Sequence, residues 1–259
     1  MNRKLLAVAI LLLIVLAPLG YLGYGYSKFN EAVFPAKSGS SSTYLVFKLP
    51  DGRYISFTPK EYVNLTIRGF KLPPGTKGYL VNITGYVTGI PEVDLNMTLM
   101  APYQKFTIVV GSPSVKICSS DPERFLGNCA ERTAAVTEIS ALAATLFKRY
   151  YYWKGLQEGM DNASAKAYAY EETLKRHEVR YLTFLTKALI GAGRIGNRKH
   201  LAIVLIGPNE GGKVNRILIP RRGLIVLEGK SDSALRAEIA LMENVIGFKW
   251  PEENQTSRG

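Results

Sequence analysis

The sequence predicts an α+β protein behind an N-terminal membrane anchor. Three observations carry this. Leu5–Tyr26 is apolar, with no charge before Lys28. Residues 44–115 hold a period of two between turn-forming clusters. From residue 131 apolar residues recur at helical spacing, followed by three strand-like runs and a last helix. The predicted order is an N-terminal transmembrane helix, an antiparallel β-rich layer, a helical hairpin and a βββα unit.

Arg3 and Lys4 precede the run "LLAVAILLLIVLAPLGYLGYGY". About twenty apolar residues cross a bilayer as a helix. Basic residues ahead of such a span keep the N-terminus cytoplasmic and send the remainder outside. Residues 1–27 therefore read as a signal anchor, with a cleaved signal peptide as the alternative. The run exceeds an ordinary signal-peptide core and has no A-x-A site. The expected location is the cell membrane, single-pass with an extracytoplasmic C-terminal part, or secretion after cleavage. "AKSGSSST" at 36–43 has linker composition, so 28–43 reads as a spacer.

Two further features agree with export. Asn64, Asn82, Asn96, Asn162 and Asn254 each open an N-x-[ST] triplet, the acceptor for N-glycosylation. The two cysteines, Cys118 and Cys129, frame the polar loop "CSSDPERFLGNC". A close pair in an exported chain reads as a disulfide, contributing about 3 kcal/mol by loop closure. No histidine or further cysteine lies nearby to complete a metal site.

In the β-rich part (44–115), "YLVFKL" and "RYISFT" flank a Pro-Asp-Gly turn and predict a hairpin. "YVNLTIRGF", "GYLVNITGYV", "VDLNMTLM" and "KFTIVVG" read as further strands, with Asn64, Asn82 and Asn96 on their outward faces. The second part (116–251) opens with a long helix over 131–156, whose stripe is Ala135, Ile139, Leu142, Leu146 and Trp153. A second helix is expected over 164–190, with Glu171–Lys175 and Glu172–Arg176 as i,i+4 pairs. The hairpin tip "KRYYYWKG" interleaves aromatic and basic residues, a composition that binds bases, sugars or lipid headgroups or packs on a sheet. "HLAIVLIG", "VNRILIP" and "GLIVLEG" are strands, and Ser231–Ile246 is a helix with Leu235, Ile239, Met242 and Ile246 on one face. Residues 252–259 form a polar tail.

The formal charge is +12. Between Arg194 and Lys230, eight Lys or Arg face only Glu210 and Glu228. Arg194, Arg198, Lys199, Lys213, Arg216, Arg221 and Arg222 are the candidate anion-binding residues. The partners such a face meets are anionic glycan, lipid headgroups or nucleic acid. Surface-protein partners are compatible too, as is an ordinary solvated face.

Two nucleotide motifs fail on context. Gly207–Lys213 fits G-x-x-x-x-G-K, but Val214 replaces the Ser or Thr that meets Mg²⁺, and a strand follows where a helix is needed. Gly191–Gly196 fits G-x-G-x-x-G but follows a helix, the reverse of the dinucleotide-binding order. His177 and His200 lack metal-ligand spacing, and no G-x-S-x-G elbow occurs. The pairs Asp121 with Glu123 and Asp94 with Asp161 are the carboxylates a hydrolase reading would use. No cofactor, metal or catalytic residue is predicted.

The stretch "IVLIGPNEGGKVNRILIPRRGLIVLEGKSDSALRAEIALMENVIGFKWP" (203–251) resembles the closing segment of membrane-anchored extracytoplasmic proteins of hyperthermophilic archaea. It is distantly similar to strand-helix units of archaeal surface-layer proteins. The resemblance implies an exported surface context and no catalytic residue. The sequence thus leads to a non-catalytic binding or scaffolding protein at the cell surface, with an extracytoplasmic hydrolase or an electrostatic binder of nucleic acid or anionic polymer as the alternatives.

Overall fold

The computed structural model describes residues 3–33, 39–111 and 127–247, with the side chains of the first helix described from Ile14 onward, Val15 excepted. The elements are α1 (Arg3–Val33), β1 (Ser40–Lys48), β2 (Tyr54–Phe57), α2 (Pro59–Ile67), β3 (Lys77–Gly85), α3 (Pro91–Leu99), β4 (Lys105–Val110), α4 (Cys129–Gln157), α5 (Asn162–Arg176), β5 (His177–Tyr181), α6 (Phe184–Gly191), β6 (His200–Ile206), β7 (Arg216–Arg221), β8 (Leu224–Glu228) and α7 (Asp232–Val245). The protein is α+β, and the strands make one mixed sheet in the order β2-β1-β3-β7-β8-β6-β4-β5.

The expected β1–β2 hairpin forms around Gly52, whose φ of +86° suits glycine at this turn. β1 begins inside the expected spacer. Ser40–Thr43 pair with Asn82–Gly85, and Thr43 Oγ1 donates to Asn82 Oδ1 at 2.8 Å. Two expected strands are helices instead. "YVNLTIRGF" lies largely in α2, because Thr58 and Glu61 form a capping box and Pro59 occupies the first helical position. "VDLNMTLM" lies in α3, started by Pro91 with Glu92 and Asp94 in its first turn. Start signals outweigh β-branched content there, so Asn64 and Asn96 stand on helices.

The long helix is present as α4, but the helix expected over 164–190 divides. α5 stops at Arg176, and "HEVRY" becomes β5, parallel to β4. Both expected ion pairs of α5 are formed. The last third follows the predicted strand, strand, strand, helix order, with an unexpected insertion: β8 lies between β6 and β7, parallel to the first and antiparallel to the second.

The layer at 44–115 is not a separate antiparallel sheet. β3 pairs parallel with β7 through Asn82–Thr84 and Arg216–Leu218, and β4 sits between β5 and β6. Both halves of the chain share the sheet. β6 shows why it is stable: Leu201, Ile203 and Leu205 face α3, α4 and α7, whereas Ala202, Val204 and Ile206 face α1 and α6. A central strand apolar on both faces is buried on both, each large side chain contributing about 1.5–3 kcal/mol.

α1 lies along the second face. Its Phe29 and Val33 are fully buried against Ile190, Val204 and Val226. Among the described residues no helix is long and apolar enough to cross a membrane, so the span expected over residues 5–26 remains an expectation.

Candidate functional site

β4, β5, β6 and β8 run the same way, so the sheet has a start end and a finish end. α1 is tied to both. At the start end Arg194 Nε donates to the Tyr21 hydroxyl at 3.1 Å. At the finish end Arg216 Nη2 donates to the Val33 carbonyl at 3.0 Å, beside Glu228, the last residue of β8. Between them α6 crosses α1 so closely that a Cβ on Gly191 would lie 1.7 Å from the Gly25 carbonyl oxygen, and one on Gly25 would lie 2.3 Å from that of Ala188. Tyr26 stacks on Phe184 at 5.0 Å. The N-terminal part of α1 therefore leaves the domain at the start end. There Ile14 (64%) and Leu19 (58%) are exposed, and a Cβ at Gly20 or Gly23 would find nothing within 4 Å among the described residues.

The seven predicted anion-binding residues separate into two groups. Arg194, Arg198, Lys199 and Arg222 are exposed on the loops of the start end, joined by Lys105 at the first residue of β4. The others are placed differently. Arg221 donates to the carbonyls of Gly196 (2.7 Å), Ile190 and Ile195, and burial pulls its guanidinium below its ordinary pKa. Arg216 pairs with Glu228 at 2.6 Å. Lys213 lies at the finish end, where its backbone N–H donates to Glu228 at 3.0 Å.

The Gly207–Lys213 loop carries a 3-10 turn, Pro208–Glu210, and returns into β7. No helix follows it. Its anion is internal: Glu210 accepts from the Gly207 N–H at 2.9 Å and from Arg132 at 2.9 Å. Arg132 also pairs with Asp232, which accepts the Asn128 N–H at 2.6 Å. Gly207 is required there, since a Cβ would fall 1.9 Å from Arg132 Nη2. Sequence reasoning missed this triad. The available signal was a charge on the buried stripe of α4, three residues before Ala135. Glu238 on α7 is also fully buried, and desolvation raises its pKa well above the ordinary range, opposed by the nearby Arg216 backbone N–H.

The "KRYYYWKG" segment is divided by its helix. Tyr151 is buried and its hydroxyl reaches the Tyr103 carbonyl at 3.4 Å, while Trp153 (57% exposed) leaves the expected stripe. Phe147 packs on Phe106, the second residue of β4. The rest of α4, ten residues to Gln157, continues past the start of β4 alongside Leu99–Tyr103. Two cavities flank this projection. One, about 510 Å³, includes Tyr103, Tyr150, Trp153 and Arg149; its one carboxylate, Glu158, pairs with Lys154 at 3.7 Å. The other, about 480 Å³, lies between α4 and α5.

Of the hydrolase carboxylates, Asp94 and Asp161 are each bound within their own helix start. Asp94 accepts the N–H groups of Val87 and Thr88 ahead of α3, Asp161 caps α5 through Ser164, and Asp121 and Glu123 lie outside the described residues. His177 and His200 open β5 and β6, and burial lowers both imidazoles. His200 Nε2 lies 2.6 Å from Thr107 Oγ1. Among the described residues no group of three or more His, Cys, Asp or Glu is placed to hold a metal. Cys129 is the first residue of α4, and Cys118 and Asn254 lie outside the described residues. Asn162 begins α5, its Oδ1 accepting from the Tyr152 hydroxyl at 3.1 Å.

Fold and site together define an α+β domain with one polarised end, from which an apolar helix and a basic, aromatic hairpin both project. No family model, characterised protein or solved structure matches the chain. The archaeal resemblance of residues 203–251 stays an expectation.

Proposed function

We propose that this chain is a membrane-anchored extracytoplasmic surface protein with a non-catalytic binding or scaffolding role, its sheet's start end set against lipid headgroups. The observation that supports this most is the course of α1. Its apolar N-terminal part leaves the domain on the same end that displays Arg194, Arg198, Lys199, Arg222 and Lys105. Residues 3–20 as a helix extend about 27 Å, close to the hydrocarbon thickness of a bilayer, and on this reading Tyr21 and Tyr24 come to headgroup depth. Basic residues beside an anionic surface each add about 1 kcal/mol of attraction. Export also accounts for the cysteine pair and the sequons.

Protease treatment of intact cells carrying a C-terminal tag tests the sidedness. Loss of the tag is expected; a protected tag puts the domain in the cytoplasm. Alkaline extraction separates a retained anchor, which stays with the membrane, from a cleaved signal. A second reading, a soluble polyanion as the ligand of the same cations, predicts salt-dependent retention on DNA or acidic polysaccharide with no preference for anionic vesicles.

A further inference from the structure

The α4–α5 groove carries more than its position requires. Its walls hold Lys148, Arg149 and Tyr152 from α4, and Lys166 and Tyr170 from α5. No carboxylate lines it. Among the described residues the three cations form no ion pair, and all three are exposed. Lys148 Nζ sits over the Tyr170 ring, 5.2 Å from its centroid, so a cation and an aromatic face meet across the groove. The spacing is built into two facing helices: Lys148 and Tyr152 stand four apart on α4, Lys166 and Tyr170 four apart on α5. Elsewhere on the same hairpin each exposed acid that lies near a base is paired with it, as in Lys154–Glu158 and Lys175–Glu171. The groove collects positive charge without a carboxylate in its lining.

We infer that this groove is a phospholipid headgroup site, and that the α4–α5 hairpin is a second point of contact with the bilayer that holds α1. The inference rests on the anchor reading. Two observations select a lipid surface as the occupant. Three cations with no ion pair among the described residues match the phosphate of an anionic headgroup. The hairpin projects from the start end, the end from which α1 departs, so a membrane around α1 meets the hairpin tip. Tyr150, Tyr152 and Trp153 have the amphipathic rings that settle at a membrane–water interface. Two contacts on opposite faces of the sheet fix the orientation of the domain, where one helix alone lets it swing.

The chain has two tryptophans, so Trp250→Phe leaves Trp153 as the sole emitter. The full chain is reconstituted in phosphatidylcholine vesicles with and without phosphatidylglycerol. A second protein, Leu19→Trp with Trp153→Phe and Trp250→Phe, reports on α1. With phosphatidylglycerol, Trp153 is expected to be shielded from aqueous iodide and quenched by a headgroup-depth lipid spin label. Replacing Lys148, Arg149 and Lys166 by Gln is expected to weaken docking by about a hundredfold, at about fivefold per charge, and to restore iodide access, with the Leu19 reporter still quenched from within the bilayer. If Trp153 stays open to iodide while the Leu19 reporter is quenched, the headgroup site is refuted and the anchor stands. If neither reporter senses lipid, the anchor itself fails. Shielding of Trp153 by single-stranded nucleic acid, equal to that by phosphatidylglycerol, would also overturn the lipid assignment.

Discussion

Arg132 on α4 and Asp232 at the start of α7 form a buried ion pair between residues one hundred positions apart in the chain. Glu210 completes it from the loop after β6, so one guanidinium joins two helices and the finish end of the sheet. The side chains are 9% or less exposed, and Asp232 is fully buried.

Removing one member of such a group leaves the others charged and without compensation, at a cost of about 3–5 kcal/mol. Arg132→Met is expected to lower the unfolding free energy by that amount, read as a lower urea midpoint with little change in denaturant slope. A loss under about 1 kcal/mol would mean that water reaches the triad, since solvated pairs contribute no more than that.

The α1–α6 crossing depends on missing side chains. Gly191→Val places atoms where the Gly25 carbonyl lies, and overpacking of this kind costs about 1–3 kcal/mol. Gly23→Ala, in open space on the same helix, should be neutral or gain up to about 1 kcal/mol from helix propensity. Thermal unfolding in detergent compares the two. Equal melting temperatures would show that α1 is not clamped to α6.

Glu238 gives stability a pH dependence. Its folded pKa lies well above the unfolded value because burial disfavours the carboxylate, with Glu228 adding repulsion and Arg216 opposing it. The native state therefore holds a proton that the unfolded chain releases. The associated stability is complete below the unfolded carboxyl pKa of about 4.3 and is lost as pH rises toward the folded value, at about 1.4 kcal/mol per tenfold difference in proton affinity. Glu238→Gln should match the parent near pH 4 and exceed it at pH 8. A constant difference across that range would show that Glu238 is not the group responsible.

In an exporting host with N-glycosylation, glycans are expected on Asn64 and Asn96, which are exposed on α2 and α3. Asn82 is half-buried, its Oδ1 accepting from Thr43. Asn162 sits at the hairpin tip proposed to face lipid. Peptide mapping by mass spectrometry reads the occupancy. Full occupancy of Asn162 would place a bulky sugar where the headgroups are proposed to be.

Element signals that are local in sequence were legible. The Pro-Asp-Gly turn gave β1 and β2, the Ala-rich period gave α4, and Ser231 with the stripe of Leu235, Ile239 and Met242 gave α7. The helices over 62–67 and 93–99 also carry local signals, in Thr58, Pro59, Glu61 and Pro91, which compete with the β-branched content of the same segments. The break at Arg176 was not legible. "HEVRY" is strand because β4 offers it an edge, and strand preference depends on such neighbours.

The same division holds for the candidate site. The apolar run, the basic surplus and the aromatic hairpin tip are properties of the chain by itself, because composition and short-range period express them. Which cations remain available was decided only by tertiary structure. Arg221 is turned inward to three carbonyls and Arg216 to Glu228, while Lys148 and Lys166, from two different helices, share one groove. Insertion of β8 between β6 and β7, and the course of α1 across that face, set which end of the sheet α1 leaves by. Contacts between distant residues determine that direction, and no local period encodes them.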